Sequence, residues 1–247
     1  MAAPSSQKQE QTSPAKLRYC VNLVVTPELM KELNQQYTLC CSWGFTSNAC
    51  REPTYNVVGW SSEIFPNNPI HWNEKFRISA TNHGCVPGSF VDLVTNTLPI
   101  KRGETFVFQS FEDLDVVRSQ ADKSKTAISF QAKVGGCSII LSQGIDLYRA
   151  EEDSDFTHMF IASNGTLPFP FPTDDSIETT RTMLIFFTPK SNLLIRGMAF
   201  DRSSVAMEPL VFNYGKAESH FTEVTLDFVD GRPQILTPIK VFEDESC

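Results

Sequence analysis

Between Thr38 and Phe45 the chain alternates, with Leu39, Cys41, Trp43 and Phe45 separated by Thr38, Cys40, Ser42 and Gly44. A period of two residues places one set on each side of an extended backbone, so the stretch predicts a strand that turns one face to a core. Similar short runs recur at 17–25, 54–61, 75–80, 89–96, 104–109, 127–134, 137–142, 156–162, 181–188, 193–200, 210–214, 221–229 and 234–242. Many short strands with turn residues between them predict a sandwich or barrel. Met183 to Phe187 is apolar at every position, which predicts a strand covered on both faces, with the preceding "NGTLPFPFPTDDS" as its cover. In that segment Pro168, Pro170 and Pro172 favour an extended path that would hold out Phe169 and Phe171.

Turns and caps refine the reading. Gly135-Gly136 and Asp230-Gly231 can each take the positive φ angles of a two-residue hairpin, so each predicts antiparallel pairing of its flanking strands. Pro233 and Pro238 place the last strand of the second hairpin at a sheet edge, because proline cannot donate to a ladder. One short helix is predicted: Thr26 caps it, Pro27 suits its first turn, and Leu29, Met30 and Leu33 share a side. Together these elements predict an all-β, single-domain antiparallel β-sandwich, jelly-roll-like in one form. Residues 17–247 would make the sandwich and residues 1–16, polar and rich in Ser, Gln and Pro, a flexible tail.

Composition adds three things. The chain has 247 residues, 19 of them Phe against 5 Tyr and 3 Trp, and Phe without a polar handle predicts a thick aromatic interior. Acidic residues number 29 and basic ones 21, a formal charge of −8, with no cluster of Lys and Arg. That balance argues against nucleic acid and anionic membrane surfaces as partners. No stretch reaches the roughly 18 apolar residues of a membrane span, and the first 16 residues lack the apolar core of a secretory signal. The expectation is a cytoplasmic protein. There Asn164-Gly165-Thr166 would go unglycosylated and the seven cysteines would stay reduced.

The cysteines carry no recognisable metal chemistry. Cys40 and Cys41 are neighbours that point to opposite faces of a strand, and no C-x-x-C spacing occurs. His71, His83, His158 and His220 lie far apart, and the acidic groups Glu112, Asp113 and Asp115 and Glu151 to Asp155 do not match a calcium loop. Nucleotide, hydrolase and zincin signatures are missing. No cofactor and no metal are therefore expected.

The segment "GWSSEIFPNNPIHWNEKF" is the most suggestive, since it gathers Trp60, Phe65, His71 and Trp72 beside three asparagines. Aromatic faces with amide groups suit a sugar or a flat organic molecule. Trp60, Phe65, His71 and Trp72, with Phe169 and Phe171 from the proline-rich segment, are the candidate ligand-binding residues. The expected function is ligand binding, lectin-like for a carbohydrate or selective for a small apolar molecule. The alternative is a cofactor-independent isomerase or cyclase acting on a hydrophobic metabolite, with His71, His83 or His158 as the acid or base.

Overall fold

Alternation, caps and turns set the local elements, and which strands pair is decided by contacts between distant segments. The structure, a computed structural model, describes residues 18–33, 36–48, 50–113, 115–119, 126–145, 156–214, 220–236 and 240–243. The tail expected at 1–16, the acidic run 151–155, Pro238 and Cys247 lie outside the described residues.

The described strands form three sheets. In the first, β1 (Arg18–Val25) lies between β4 (Asn67–Asn73) and β14 (His220–Val229), and β14 also holds β15 (Arg232–Ile235) and β16 (Lys240–Glu243). The second runs β11 (Phe156–Ala162), β10 (Ser138–Gly144), β5 (Phe76–Thr81), β6 (Leu98–Ile100). The third runs β3 (Trp60–Ser62), β2 (Tyr37–Ser47), β12 (Thr173–Pro189), β9 (Ile128–Ala132), β7 (Glu104–Phe108), β8 (Val116–Ser119), with β13 (Leu210–Asn213) also on β12. The inner faces of all three share one core that includes Trp43, Phe45, Trp72, Ile78, Phe106, Phe130, Ile139 and Met183. The fold is an all-β sandwich, with α1 (Pro27–Leu33) the one α-helix among the described residues.

The predicted strand at Thr38–Phe45 is the start of β2, and Leu39, Cys41, Trp43 and Phe45 all enter the main core. Ten phenylalanines among the described residues are buried, and each contributes about 1.5–3 kcal/mol relative to an exposed ring. Helix α1 begins where expected: Thr26 Oγ1 accepts from the Leu29 N–H at 3.3 Å, and Leu29 and Leu33 are buried. Asp230 (φ 52°) and Gly231 (φ 79°) turn β14 into β15, and β15 lies at the edge of its sheet with Pro233 in it.

Antiparallel ladders prevail, and two pairs, β1 with β14 and β7 with β9, are parallel. Three expectations are corrected. Gly135-Gly136 does not close a hairpin: β9 and β10 belong to different sheets, and the turn carries the chain between them. Phe169 takes the place of a hairpin partner by bridging Cys137, and its carbonyl accepts the Gly136 N–H at 2.7 Å. Runs 89–96 and 193–200 are covering segments that touch each other through the single bridge Phe90–Met198. The apolar outer face of β12, Leu184 and Phe186, is covered by Leu194 and Phe200 of the second of these segments, not by the proline-rich stretch.

Strand β12 carries one irregularity. Thr179 stands opposite Phe45 and Met183 opposite Trp43, so Thr180, Arg181 and Thr182 bulge out against Gly44 alone. A Cβ on Gly44 would collide with the hydroxyls of Thr180 and Thr182, so glycine is what lets the bulge close. Tyr55 Oη and Thr182 Oγ1 then lie 2.7 Å apart, and Thr180 Oγ1 bonds Thr182 Oγ1.

Candidate functional site

The segment Gly59 to Phe76 is not one loop. Trp60 opens β3 in the third sheet and Trp72 sits in β4 of the first, so the chain crosses the sandwich between them. Trp72 is 1% exposed; its ring stacks on Tyr19 (5.3 Å, 9° between planes) and meets Trp43 and Tyr214 edge-on at 5.4 and 5.3 Å. Trp60 is also buried. Neither indole offers a face to solvent. His71 is half-buried on β4, with Nε2 3.7 Å from the Cys20 sulfur.

Phe65 is different. It lies half exposed between β3 and β4 and is held there by Asn68, a buried side chain. Asn68 Nδ2 donates to the Phe65 carbonyl at 2.6 Å and to the Leu23 carbonyl at 3.0 Å, and its Oδ1 accepts the Phe65 N–H at 3.1 Å. A buried amide with its donors and acceptor engaged fixes the turn. Pro66 adds a second tie, its carbonyl accepting the Val25 N–H at 3.0 Å.

This pinned turn forms one wall of a cleft of about 310 Å³. Met30 and Leu33 of α1 form the facing wall, Ile64, Phe65 and Pro66 the near one, and Tyr37, Glu63 and Lys190 complete the lining. Glu63 and Lys190 approach to 3.4 Å with both side chains well exposed, an ion pair worth about 0–1 kcal/mol at most and easily opened. The volume falls at the lower end of the range for small-molecule sites, and an apolar lining with a few polar groups at the mouth is their usual composition.

The structure does not bring the other candidates to this cleft. Phe169 is half-buried, its ring 6.0 Å from Phe130, and Phe171 is 73% exposed beside it. That pair lies next to Gly135, where a Cβ would meet the Pro170 carbonyl. No histidine lines the cleft. His83 is exposed, and His158 Nδ1 is hydrogen-bonded at 2.9 Å to the hydroxyl of Ser142, a residue 1% exposed. Burial pushes the His158 imidazole below its ordinary value and the Arg196 charge pushes it further, against a weaker opposite pull from Asp92. The pair has the atoms of a base and a nucleophile, but Ser142 is closed to any substrate.

Sequence reasoning nominated Phe65 and missed the rest of the cleft, whose residues come from four separate segments. Asn68 is one of three asparagines in the segment Gly59 to Phe76, and its burial, which singles it out, follows from the fold. Among the described residues no group of three or more His, Cys, Asp and Glu could hold a metal ion, and no helix is long and apolar enough to cross a membrane. Comparison with protein-family models, with curated proteins and with solved structures finds no match to this chain.

Proposed function

We propose that this protein binds a small, largely apolar organic molecule in the cleft between α1 and the β3–β4 connection. The observation that carries the reading is Phe65, an aromatic ring left half exposed over the cleft on a turn whose backbone a buried asparagine pins. A turn fixed before binding need not be ordered on contact, which is the economy of a preorganised site. Glu63, Lys190 and Tyr37 give the mouth hydrogen-bonding groups for a polar end of the ligand. Burial of both Trp60 and Trp72 favours the apolar ligand over the carbohydrate, because a sugar needs an open aromatic face. Binding is favoured over isomerase or cyclase chemistry, since His71, His83 and His158 all lie away from the cleft.

Titration with Nile red, a neutral apolar dye, tests the proposal. The wild-type protein should bind one dye molecule saturably. Phe65→Ala should weaken that binding by about 5- to 150-fold, the loss of roughly 1–3 kcal/mol for an anchoring aromatic, and Ile64→Trp, which fills the cleft, should abolish it. Equal binding by the wild type and both variants would refute the assignment.

A further inference from the structure

Asparagine is a thermolabile side chain, because the backbone nitrogen of the following residue can attack its amide carbon. A side chain on that following residue hinders the approach, and glycine has none. Asn164-Gly165 is the one Asn-Gly pair in the chain. The other exposed asparagines among the described residues, at 48, 67, 82, 96, 192 and 213, each precede a residue that carries a side chain.

The pair lies in a tight turn between β11 and the proline-rich segment. The Leu167 N–H donates to the Asn164 carbonyl at 3.2 Å and the Asn164 N–H donates to the Leu167 carbonyl at 2.9 Å. Gly165 has φ 63°, and its carbonyl accepts the Ser163 hydroxyl at 2.8 Å. Residues 164–167 are exposed, and a Cβ placed on Gly165 would meet only open space. The two groups that would react are both at liberty: the Asn164 amide and the Gly165 N–H take part in no hydrogen bond among the described residues. The bond from Leu167 to the Asn164 carbonyl adds a push. That carbonyl and the Gly165 nitrogen form one resonant peptide unit, so a donor on the oxygen favours the deprotonated nitrogen. The backbone bonds that hold the turn lie at the surface, where local opening is frequent.

We propose that Asn164 is a site of self-catalysed deamidation. The Gly165 nitrogen bonds to Asn164 Cγ, the Cγ–Nδ2 bond breaks, and Nδ2 leaves as ammonia with the proton that Gly165 gave up. The five-membered succinimide then takes up water at either carbonyl. Opening at Cγ gives aspartate in the ordinary chain, and opening at the backbone carbonyl gives isoaspartate, whose chain runs through the former side chain. Nothing is oxidised or reduced, and water is the only other reactant.

The isoaspartyl product has a structural consequence, because this turn seats the segment that follows it. The Thr166 carbonyl rests against Gly84, where no Cβ would fit, and the Phe169 N–H donates to the Cys137 carbonyl at 2.8 Å while the Phe169 carbonyl accepts the Gly136 N–H at 2.7 Å. An added backbone atom at position 164 pushes the segment 166–172 off these contacts. An aspartate at the same place adds only a solvated charge.

The test ages the native wild-type protein in neutral and in mildly alkaline buffer at body temperature, with peptide mapping by mass spectrometry and fragmentation that separates aspartate from isoaspartate. Asn164 should convert before every other asparagine, give both products, and convert faster in the alkaline buffer. Gly165→Asp, which tolerates the positive φ and restores a side chain, should lose that lead and convert no faster than the other exposed asparagines. Hydrogen exchange should then show lost protection at the amides of Gly136 and Phe169 in the isoaspartyl protein and wild-type protection in Asn164→Asp. Conversion of Asn164 no faster than that of the other exposed asparagines, or a Gly165→Asp protein that converts as the wild type does, would overturn the site. Unchanged protection in the isoaspartyl protein would overturn the release of the segment.

Discussion

Replacing Trp72 by alanine removes the side chain on which three other rings converge. The indole is 1% exposed, stacked on Tyr19 at 5.3 Å and edged by Trp43 and Tyr214 at 5.4 and 5.3 Å. A buried Trp→Ala change costs about 3–5 kcal/mol through lost burial and the cavity left behind. Each aromatic pair is worth roughly 0.5–1.5 kcal/mol beyond burial, which puts Trp72→Ala at the top of that range, near 5 kcal/mol. That equals a third or more of a typical domain's stability of about 5–15 kcal/mol. Trp72→Phe, which keeps a ring between Tyr19 and Trp43, is the milder companion and should cost about half as much, roughly 2–3 kcal/mol. Phe65→Ala is the control: half exposed and held through its backbone, it should cost under about 1 kcal/mol. Urea unfolding followed by far-UV circular dichroism, which does not depend on the mutated indole, measures all three. A Trp72→Ala loss below about 2 kcal/mol, comparable to that of Phe65→Ala, would refute the view that Trp72 is a core anchor.

Two further outcomes are expected. In a Cys247→Ser background, native protein at pH 8 should show one fast-reacting thiol, Cys50, by Ellman titration. Burial pushes the Cys40 thiol up to about 12 and those of Cys85 and Cys137 to about 11, raises Cys41 as well, and covers Cys20; rapid reaction of a second cysteine would contradict this. Lowering the pH should destabilise the fold through His158. Its folded value lies below the ordinary 6.5, so the unfolded state binds the proton first. The stability from the neutral ring is complete above about pH 6.5 and is lost as pH falls through that value toward the folded one. Urea midpoints between pH 7.5 and 5 should therefore drop more steeply for the wild type than for His158→Gln, and equal slopes would count against it.

The all-β class, α1 and the Asp230-Gly231 hairpin were legible because each is encoded within a few residues: alternation, a Thr-Pro cap, a turn dipeptide. Gly135-Gly136 misled because a turn dipeptide states only that the chain reverses, and Phe169, more than thirty positions away, decides what Cys137 pairs with. Strand β4 escaped notice because "NNPIHWN" holds Pro69 and three asparagines. It is nonetheless an edge strand, where a missing N–H can face solvent, and Ile70 and Trp72 are buried in alternation. The first half of β12, "TDDSIETT", is polar and becomes a strand through its ladders with β9 and β2. Of the α1 cleft only Phe65 could be nominated, since its other walls meet through the fold. Nothing in "TTRTM" announces that Arg181 adopts a positive φ; that follows from the register against Gly44.

The parallel pairing of β1 with β14 places a schedule on biosynthesis. Thr26 and Asp227, which share a hydrogen bond at this seam, are 201 positions apart. At about 5–20 residues per second of translation, β14 leaves the ribosome roughly 10–40 s after β1. Until then β1, with the apolar run "CVNLVV", can be covered by β4 along one edge while the other stays open. An open apolar edge is a template for pairing with a neighbouring nascent chain. The yield of folded protein should therefore depend on crowding among the ribosomes of one message, and slowing initiation so that chains emerge farther apart should raise the soluble fraction without any change in sequence.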